Sequence, residues 1–147
     1  MTTYNFVPAA APKNHGIAVE WGICNHYGIK RVAHDSAAYD KDSDVNVGGK
    51  HMSVKASKFT LMSGSLCEGL TEFDAIWNLY ESKVHSNTFV YGTQDGRAFE
   101  MDMNEFKQFV YEFCTVQKES AKNGGASKIR CRAESKKMLA WLEARAI

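Results

Sequence analysis

The sequence is poor in prolines, in clustered cysteines, in long apolar runs and in net charge. Its two prolines, Pro8 and Pro12, bracket three alanines and block regular pairing there. Residues 1–13 are accordingly expected to form a flexible arm. Four cysteines (Cys24, Cys67, Cys114 and Cys131) are scattered, with no C-x-x-C pair. That spacing argues against a zinc cage or a disulfide framework, and the short Cys24-x-His26 pair is too small for a metal site. Buried free thiols and a reducing cytoplasm are the expectation. Residues 1–12 lack the basic start and apolar run of a secretory leader, and no stretch approaches a membrane span. A formal charge of +1 gives no global field that would select a partner. No internal repeat is visible.

What is present describes a packed protein. A hydrophobic fraction of 44% and an aromatic fraction of 12% in 147 residues suit one α+β domain, spanning 14–147 after the arm. The charges are unevenly placed. Residues 118–147 hold eight Lys/Arg against three Glu, whereas residues 1–117 carry a net −4. A basic C-terminal quarter beside an acidic remainder suits a nucleic-acid contact near carboxylates, and equally suits plain solubility.

The most informative stretch is Ser43 to Lys58, where two alternating segments flank Gly48-Gly49. Such a pair marks a tight hairpin turn. With that turn, Val47 faces Lys50, Asn46 faces His51, Val45 faces Met52 and Asp44 faces Ser53. Alternation then puts Val45, Val47, Met52 and Val54 on a core face. Asp44, Asn46, His51, Ser53 and Lys55 share the other face. The Asp44 and Lys55 head groups leave room between them for a water or a metal ion. The same pattern also describes a solvated hairpin face.

Elsewhere, a helix is predicted from Asn14 as cap to Tyr27, stopped by Gly28, with Ile17, Trp21 and Cys24 on its apolar stripe. Glu20 lies at the edge of that stripe. It is either paired, a ligand, or long enough to reach solvent. Residues 29–43, 63–69 and 120–126 read as irregular. Phe59 to Met62 continues the hairpin as a third strand. Thr71-x-x-Asp74 reads as a capping-box variant opening a helix with Phe73, Ile76, Trp77, Tyr80 and Val84 on its apolar stripe. A second hairpin turns at Asp95-Gly96. Asn104 is expected to cap a helix bearing Phe106, Phe109, Val110, Phe113 and Cys114. In 127–132, Ile129 and Cys131 point inward, and Lys128, Arg130 and Arg132 line the outer face. These cations are a phosphate-contact stripe or a solvated edge strand. A last helix from Glu134 presents Met138, Trp141 and Leu142.

The order of helix with Glu20, strand with Asp44, strand with Ser53-Val54-Lys55 and helix near Thr71 resembles the core of the PD-(D/E)XK nuclease superfamily. The resemblance covers roughly residues 14–84 as an arrangement of elements. It implies a restriction-endonuclease-like central mixed sheet flanked by helices. Asp44 matches the first motif acid and Lys55 the lysine, while Glu20 resembles a helical glutamate that some members use as a metal ligand. Two departures stand out: Ser43 replaces the proline, and Ser53 replaces the second acid. The resemblance further implies a Mg²⁺- or Mn²⁺-dependent endonuclease of DNA, with RNA as the other substrate class and a bacterial or phage origin. The implied metal ligands are Asp44, Glu20 and the Val54 carbonyl, with Ser53 and Lys55 completing the catalytic set. Lys55 would orient the attacking water and stabilise charge. His51, Lys58, Lys128, Arg130 and Arg132 are the candidate nucleic-acid contacts. A double-strand break at one place implies a homodimer. Two other readings stay open: a catalytically inactive nucleic-acid-binding or regulatory module on the same fold, favoured by Ser53, and a protein-interaction factor such as an inhibitor.

Overall fold

A computed structural model of the chain describes residues 1–11, 13–30, 44–61, 69–118 and 127–146. In chain order its elements are β1 (Thr2–Asn5), a 3-10 turn (Pro8–Ala10), α1 (His15–Tyr27), β2 (Val45–Val47), β3 (Lys50–Ala56), β4 (Phe59–Leu61), α2 (Phe73–Lys83), β5 (Thr88–Gly92), β6 (Arg97–Asp102), α3 (Met103–Phe113), β7 (Cys114–Lys118), β8 (Ser127–Cys131) and α4 (Lys136–Arg145). This is an α+β chain, as its composition implies. It divides into two compact units. The first takes Met1–Ser57, His85–Asn104 and Glu134–Ile147; the second takes Lys58–Val84 and Glu105–Ala133. Among the described residues, no helix is long and apolar enough to cross a membrane.

The first unit holds a mixed sheet in the order β1-β6-β5-β3-β2. The Gly48-Gly49 turn sets its first hairpin, with Val45 opposite Met52, Asn46 opposite His51 and Val47 opposite Lys50. Gly48 takes φ 56°, the left-handed region that this tight turn requires. β3 and β5 are parallel, and the stretch of chain between them belongs to the second unit. The Asp95-Gly96 hairpin forms as the sequence predicts, pairing Thr88 with Asp102 and Gly92 with Ala98.

Helix α1 begins where the Asn14 carboxamide accepts the Ile17 N–H at 3.1 Å, and it ends at Gly28. Val19 and Ile23, one turn apart, pack with Val45, Met52, Val90 and Ala98. Each such side chain contributes about 1.5–3 kcal/mol when fully buried. The helix is rotated from the expected Ile17–Trp21–Cys24 stripe, and Trp21 is 38% exposed. Close approach explains the rotation. A Cβ on Gly22 would run into Phe6, and one on Gly92 would run into Val19, so two glycines fix which side of the helix lies down.

The expected N-terminal arm is instead a strand. Thr2 to Asn5 pair with Glu100 to Arg97, and Phe6 is buried with its N–H bonded to the Gly96 carbonyl. Pro8 follows this strand and opens the 3-10 turn, where its missing N–H removes no ladder bond. Pro12 lies outside the described residues.

The second unit contains an antiparallel sheet ordered β4-β8-β7. Leu61, Ile129 and Cys131 are buried on its inner face. Phe59 stacks on Phe106 and Phe109 of α3, with centroids 6.2 and 6.4 Å away. Trp77 of α2 lies 6.0 Å from Phe106. The segment at Phe59 is a strand as expected, but it joins this second sheet by pairing with β8.

Three local expectations fail in this part of the chain. α2 starts after Glu72 with no side-chain cap, so Thr71 and Asp74 form no capping box. α3 starts directly off β6 at Met103, which places Asn104 inside the helix. Cys114 opens β7 rather than closing α3, because β-branched Thr115 and Val116 favour the extended backbone that follows. Cys114 lies directly across from Cys131. Cys24, Cys114 and Cys131 are buried and form no disulfide. Cys67, Met62 and the expected loops at 31–43, 63–68 and 120–126 lie outside the described residues.

Candidate functional site

The candidate site lies at the open end of the β2–β3 hairpin. The ladder's last rung is Val45–Met52, and the Asp44 N–H bonds to the Met52 carbonyl at 2.8 Å. Asp44 therefore does not stand directly over Ser53 as expected. Its carboxylate instead accepts the Val54 N–H at 2.7 Å. The physical reason is the need of the Val54 amide, two residues past the last rung, for an acceptor. A carboxylate thus takes the place of a ladder carbonyl.

Lys55 follows on β3, opposite Tyr91 of β5. Strand alternation puts Lys55, Ser53, Phe89 and Tyr91 on the sheet face turned away from α1. Burial lowers the Lys55 pKa below its ordinary 10.5, while the Asp44 charge acts in the opposite direction. Asp44, Val54 and Lys55 are therefore brought together, with one carboxylate braced by a backbone amide and one desolvated amine.

Glu20 reaches its position differently. It is 5% exposed on α1, the helix that covers the face bearing Met52 and Val54. Ser53 shares the face of Lys55 and is half-buried. Among the described residues, no three His, Cys, Asp or Glu side chains gather around one metal position. His51 faces Asn46 as predicted, its Nδ1 2.8 Å from Asn46 Oδ1. It lies near the turn, four residues from Lys55, or about 13 Å along the strand. There Asn87 clamps the hairpin, accepting the His51 N–H and donating to the Gly49 carbonyl, both at 2.9 Å.

The remaining candidates belong to the second unit. Lys58 begins it, immediately after Ser57, whose φ of 57° is strained for a residue with a side chain. Lys128 and Arg130 lie on the outer face of β8, and exposed Arg132 follows that strand. β8 is the central strand of its sheet, not the edge strand that was one reading of these cations.

No family model, no curated protein and no solved structure matches the chain.

Two polar groupings escaped the sequence reading. Glu100 is 5% exposed and accepts the Tyr27 hydroxyl at 2.8 and 2.6 Å and the Lys50 ammonium at 3.1 Å. Lys50 also donates to the Tyr27 oxygen at 2.9 Å. Those bonds raise the Lys50 pKa, and burial followed by the Glu100 bond raises that of Tyr27. The nearby Tyr4 hydroxyl is buried without a hydrogen bond, and its pKa is also raised, chiefly by burial. This cluster ties the C-terminal end of α1 to β3 and β6. The available signal was Lys50, a charge in phase with Val45, Val47, Met52 and Val54. The second grouping is Glu134, which accepts the Gln94 N–H at 3.1 Å and the Tyr91 hydroxyl at 3.4 Å. It brings another carboxylate to the face that carries Lys55 and Tyr91, and nothing in the sequence pattern marks it.

Proposed function

We propose that this protein is a metal-dependent nuclease that hydrolyses phosphodiester bonds of DNA, with its chemistry at the open end of the β2–β3 hairpin. The observation that carries the reading is a half-buried lysine on β3 that feels the charge of a carboxylate just before β2. The Lys55 amine is desolvated, Asp44 acts on it electrostatically, and Asp44 is itself fixed by the Val54 N–H. A residue's N–H and C=O lie on the same strand edge, so the Val54 carbonyl turns toward Asp44 as well.

The donors at this end, Asp44 and the Val54 carbonyl, are both oxygen, which fits Mg²⁺ or Mn²⁺ in type, whereas Glu20 sits on the helix that covers the other sheet face. They are few, so water must complete the shell. A bound divalent ion supplies neutralisation of the charge that develops on the phosphate. Lys55 holds the attacking water by hydrogen bonding and offsets the same developing charge. Its lowered pKa makes the amine a readier proton acceptor than an ordinary lysine.

The test is incubation of the protein with plasmid, single-stranded DNA and RNA, each with Mg²⁺, Mn²⁺ or EDTA. Cleavage that requires metal and disappears in Lys55→Ala supports the proposal. A double-strand break made in one encounter by a sedimentation monomer would reject the homodimer that such cutting implies.

A second reading is a nucleic-acid-binding module without catalysis. It is favoured by Ser53 at the second acid position and by the lack of a three-ligand cluster among the described residues. Absence of cleavage with every metal and every substrate would select it.

A further inference from the structure

The outer face of the second unit's sheet is unusual in composition. Side chains alternate across strands, so buried Leu61, Ile129 and Cys131, with half-buried Phe59 beside them, assign the intervening residues to the opposite face. On that face Thr60 of β4 and Thr115 of β7 flank Arg130 of β8, directly across from it on either side. Gln117 lies directly across from Lys128. Thr60 and Thr115 are exposed, so the ground beside Arg130 is open. α2 and α3 crowd the other side of the sheet, through the rings that meet Phe59 and Trp77.

Every one of these outer side chains donates hydrogen bonds: two cations, two hydroxyls and one carboxamide. No carboxylate is among them. Alternate residues on a strand stand about 6.6 Å apart, close to the separation of successive phosphates on one nucleic-acid strand. Arg, Lys, Thr and Gln are the side chains that commonly hold phosphate oxygens. Among the described residues no aromatic ring lies on this face, so they offer no platform on which a base could stack.

We infer that the outer face of β4-β8-β7 grips the sugar–phosphate backbone of a nucleic acid, without reading its bases, through Arg130 and Lys128 with Thr60, Thr115 and Gln117 beside them. This rests on the nucleic-acid reading above and adds to it a docking surface distinct from the Asp44–Lys55 chemistry. Removal of a phosphate contact lowers the salt dependence of binding by about one per cation and weakens all sequences alike.

The experiment is fluorescence anisotropy of the full chain with labelled duplexes of unrelated sequence, in EDTA so that no cleavage occurs, from about 50 to 200 mM salt. Lys128→Ala combined with Arg130→Ala is expected to reduce the slope of log K against log salt by about 2. It should lower affinity by the same factor on every duplex. Arg130→Lys keeps the charge and should restore most of the slope of Arg130→Ala, which a misfolded sheet could not do. Arg145→Ala, which removes a cation stacked on Trp141 of α4, should leave the slope unchanged.

Three results would overturn the inference: an unchanged slope in the double variant, an equal change in Arg145→Ala, or no wild-type binding to any duplex. The two proposals fail separately. Salt-dependent binding with no cleavage in any metal sinks the enzyme and keeps the surface. Cleavage with an unaltered slope does the reverse.

Discussion

In the first unit Glu20, Ser86, Thr88, Thr93 and Glu100 are buried, and Lys55 is half-buried. In the second, the buried side chains among the described residues are aliphatic, aromatic or thiol. Its cations Lys128 and Arg130 lie on the outer face of a sheet whose inner face meets Phe106, Phe109 and Trp77. Interior polarity costs free energy unless each group finds a partner, so a chain that keeps it must gain position or reactivity. On the proposals above, the first unit carries the chemistry and the second holds a charged polymer. Among the described residues, the second unit's one buried polar lapse fits the contrast: the Trp77 N–H has no acceptor and belongs to a ring cluster, not a site.

Asp44→Asn is the variant expected to have the largest effect. It should abolish metal-dependent cleavage, because it removes the charge that serves both Lys55 and a cation. Far-UV circular dichroism should be unchanged, since an amide oxygen still accepts the Val54 N–H. Retained cleavage would remove the first unit's claim to the chemistry.

Phe106→Ala probes the other side of the comparison. It opens a cavity between Phe59, Trp77 and Phe109 and should cost about 3–5 kcal/mol in urea unfolding. The loss should be flat with pH, because its ring neighbours do not titrate. A pH-dependent loss would mean that an ionisable group shares that core.

Tyr27→Phe is expected to cost less, about 1–3 kcal/mol, by leaving Glu100 and Lys50 without their shared hydroxyl. Lys50 has a raised pKa, so what its ammonium contributes is fully present below the ordinary 10.5. The cost should therefore hold steady across neutral pH and decline only in strongly alkaline solution. A loss that already faded near neutrality would contradict the bonding described.

Lys55→Met should have the smallest effect, and the opposite sign. Removal of a desolvated ammonium is expected to stabilise the fold by about 1 kcal/mol, or roughly 3 °C in Tm. Lys55 has a lowered pKa, so its ammonium destabilises the fold fully at pH below that lowered value. The folded state sheds the proton first as pH rises, and the gain from Met should shrink on approach to the ordinary 10.5. A gain that grew with pH would show that Lys55 is held as a stabilised cation.

Local chemistry accounts for the parts of this fold that the sequence revealed. Gly48-Gly49 and Asp95-Gly96 fix turn and register together, because side-chain alternation leaves no freedom once the turn is placed. Asn14 and Gly28 mark both ends of α1 for similar reasons. Features decided by distant partners were hidden. β1 is a short edge strand whose partner lies some ninety residues on, and the prolines after it masked it. Trp21 was misjudged because Phe6 chose the Gly22 side of the helix. α3 runs into β7 with no Gly or Pro between them, so nothing marked Cys114 as a strand residue.

The site was legible in the same proportion. Lys55 follows from the hairpin register, but the turn of Asp44 toward the Val54 amide depends on where the ladder stops. Glu134 arrives by chain return alone.

The division of labour between the units is tested most directly by single-turnover cleavage of a labelled duplex in Mg²⁺, at protein concentrations raised to saturation. Lys55→Ala should be slower by roughly 10²- to 10⁴-fold at every concentration. Arg130→Ala should need more protein but reach the wild-type rate once the duplex is saturated. A Lys55→Ala rate equal to wild type, or an Arg130→Ala deficit that persists at saturation, would contradict the assignment of chemistry to one unit and grip to the other.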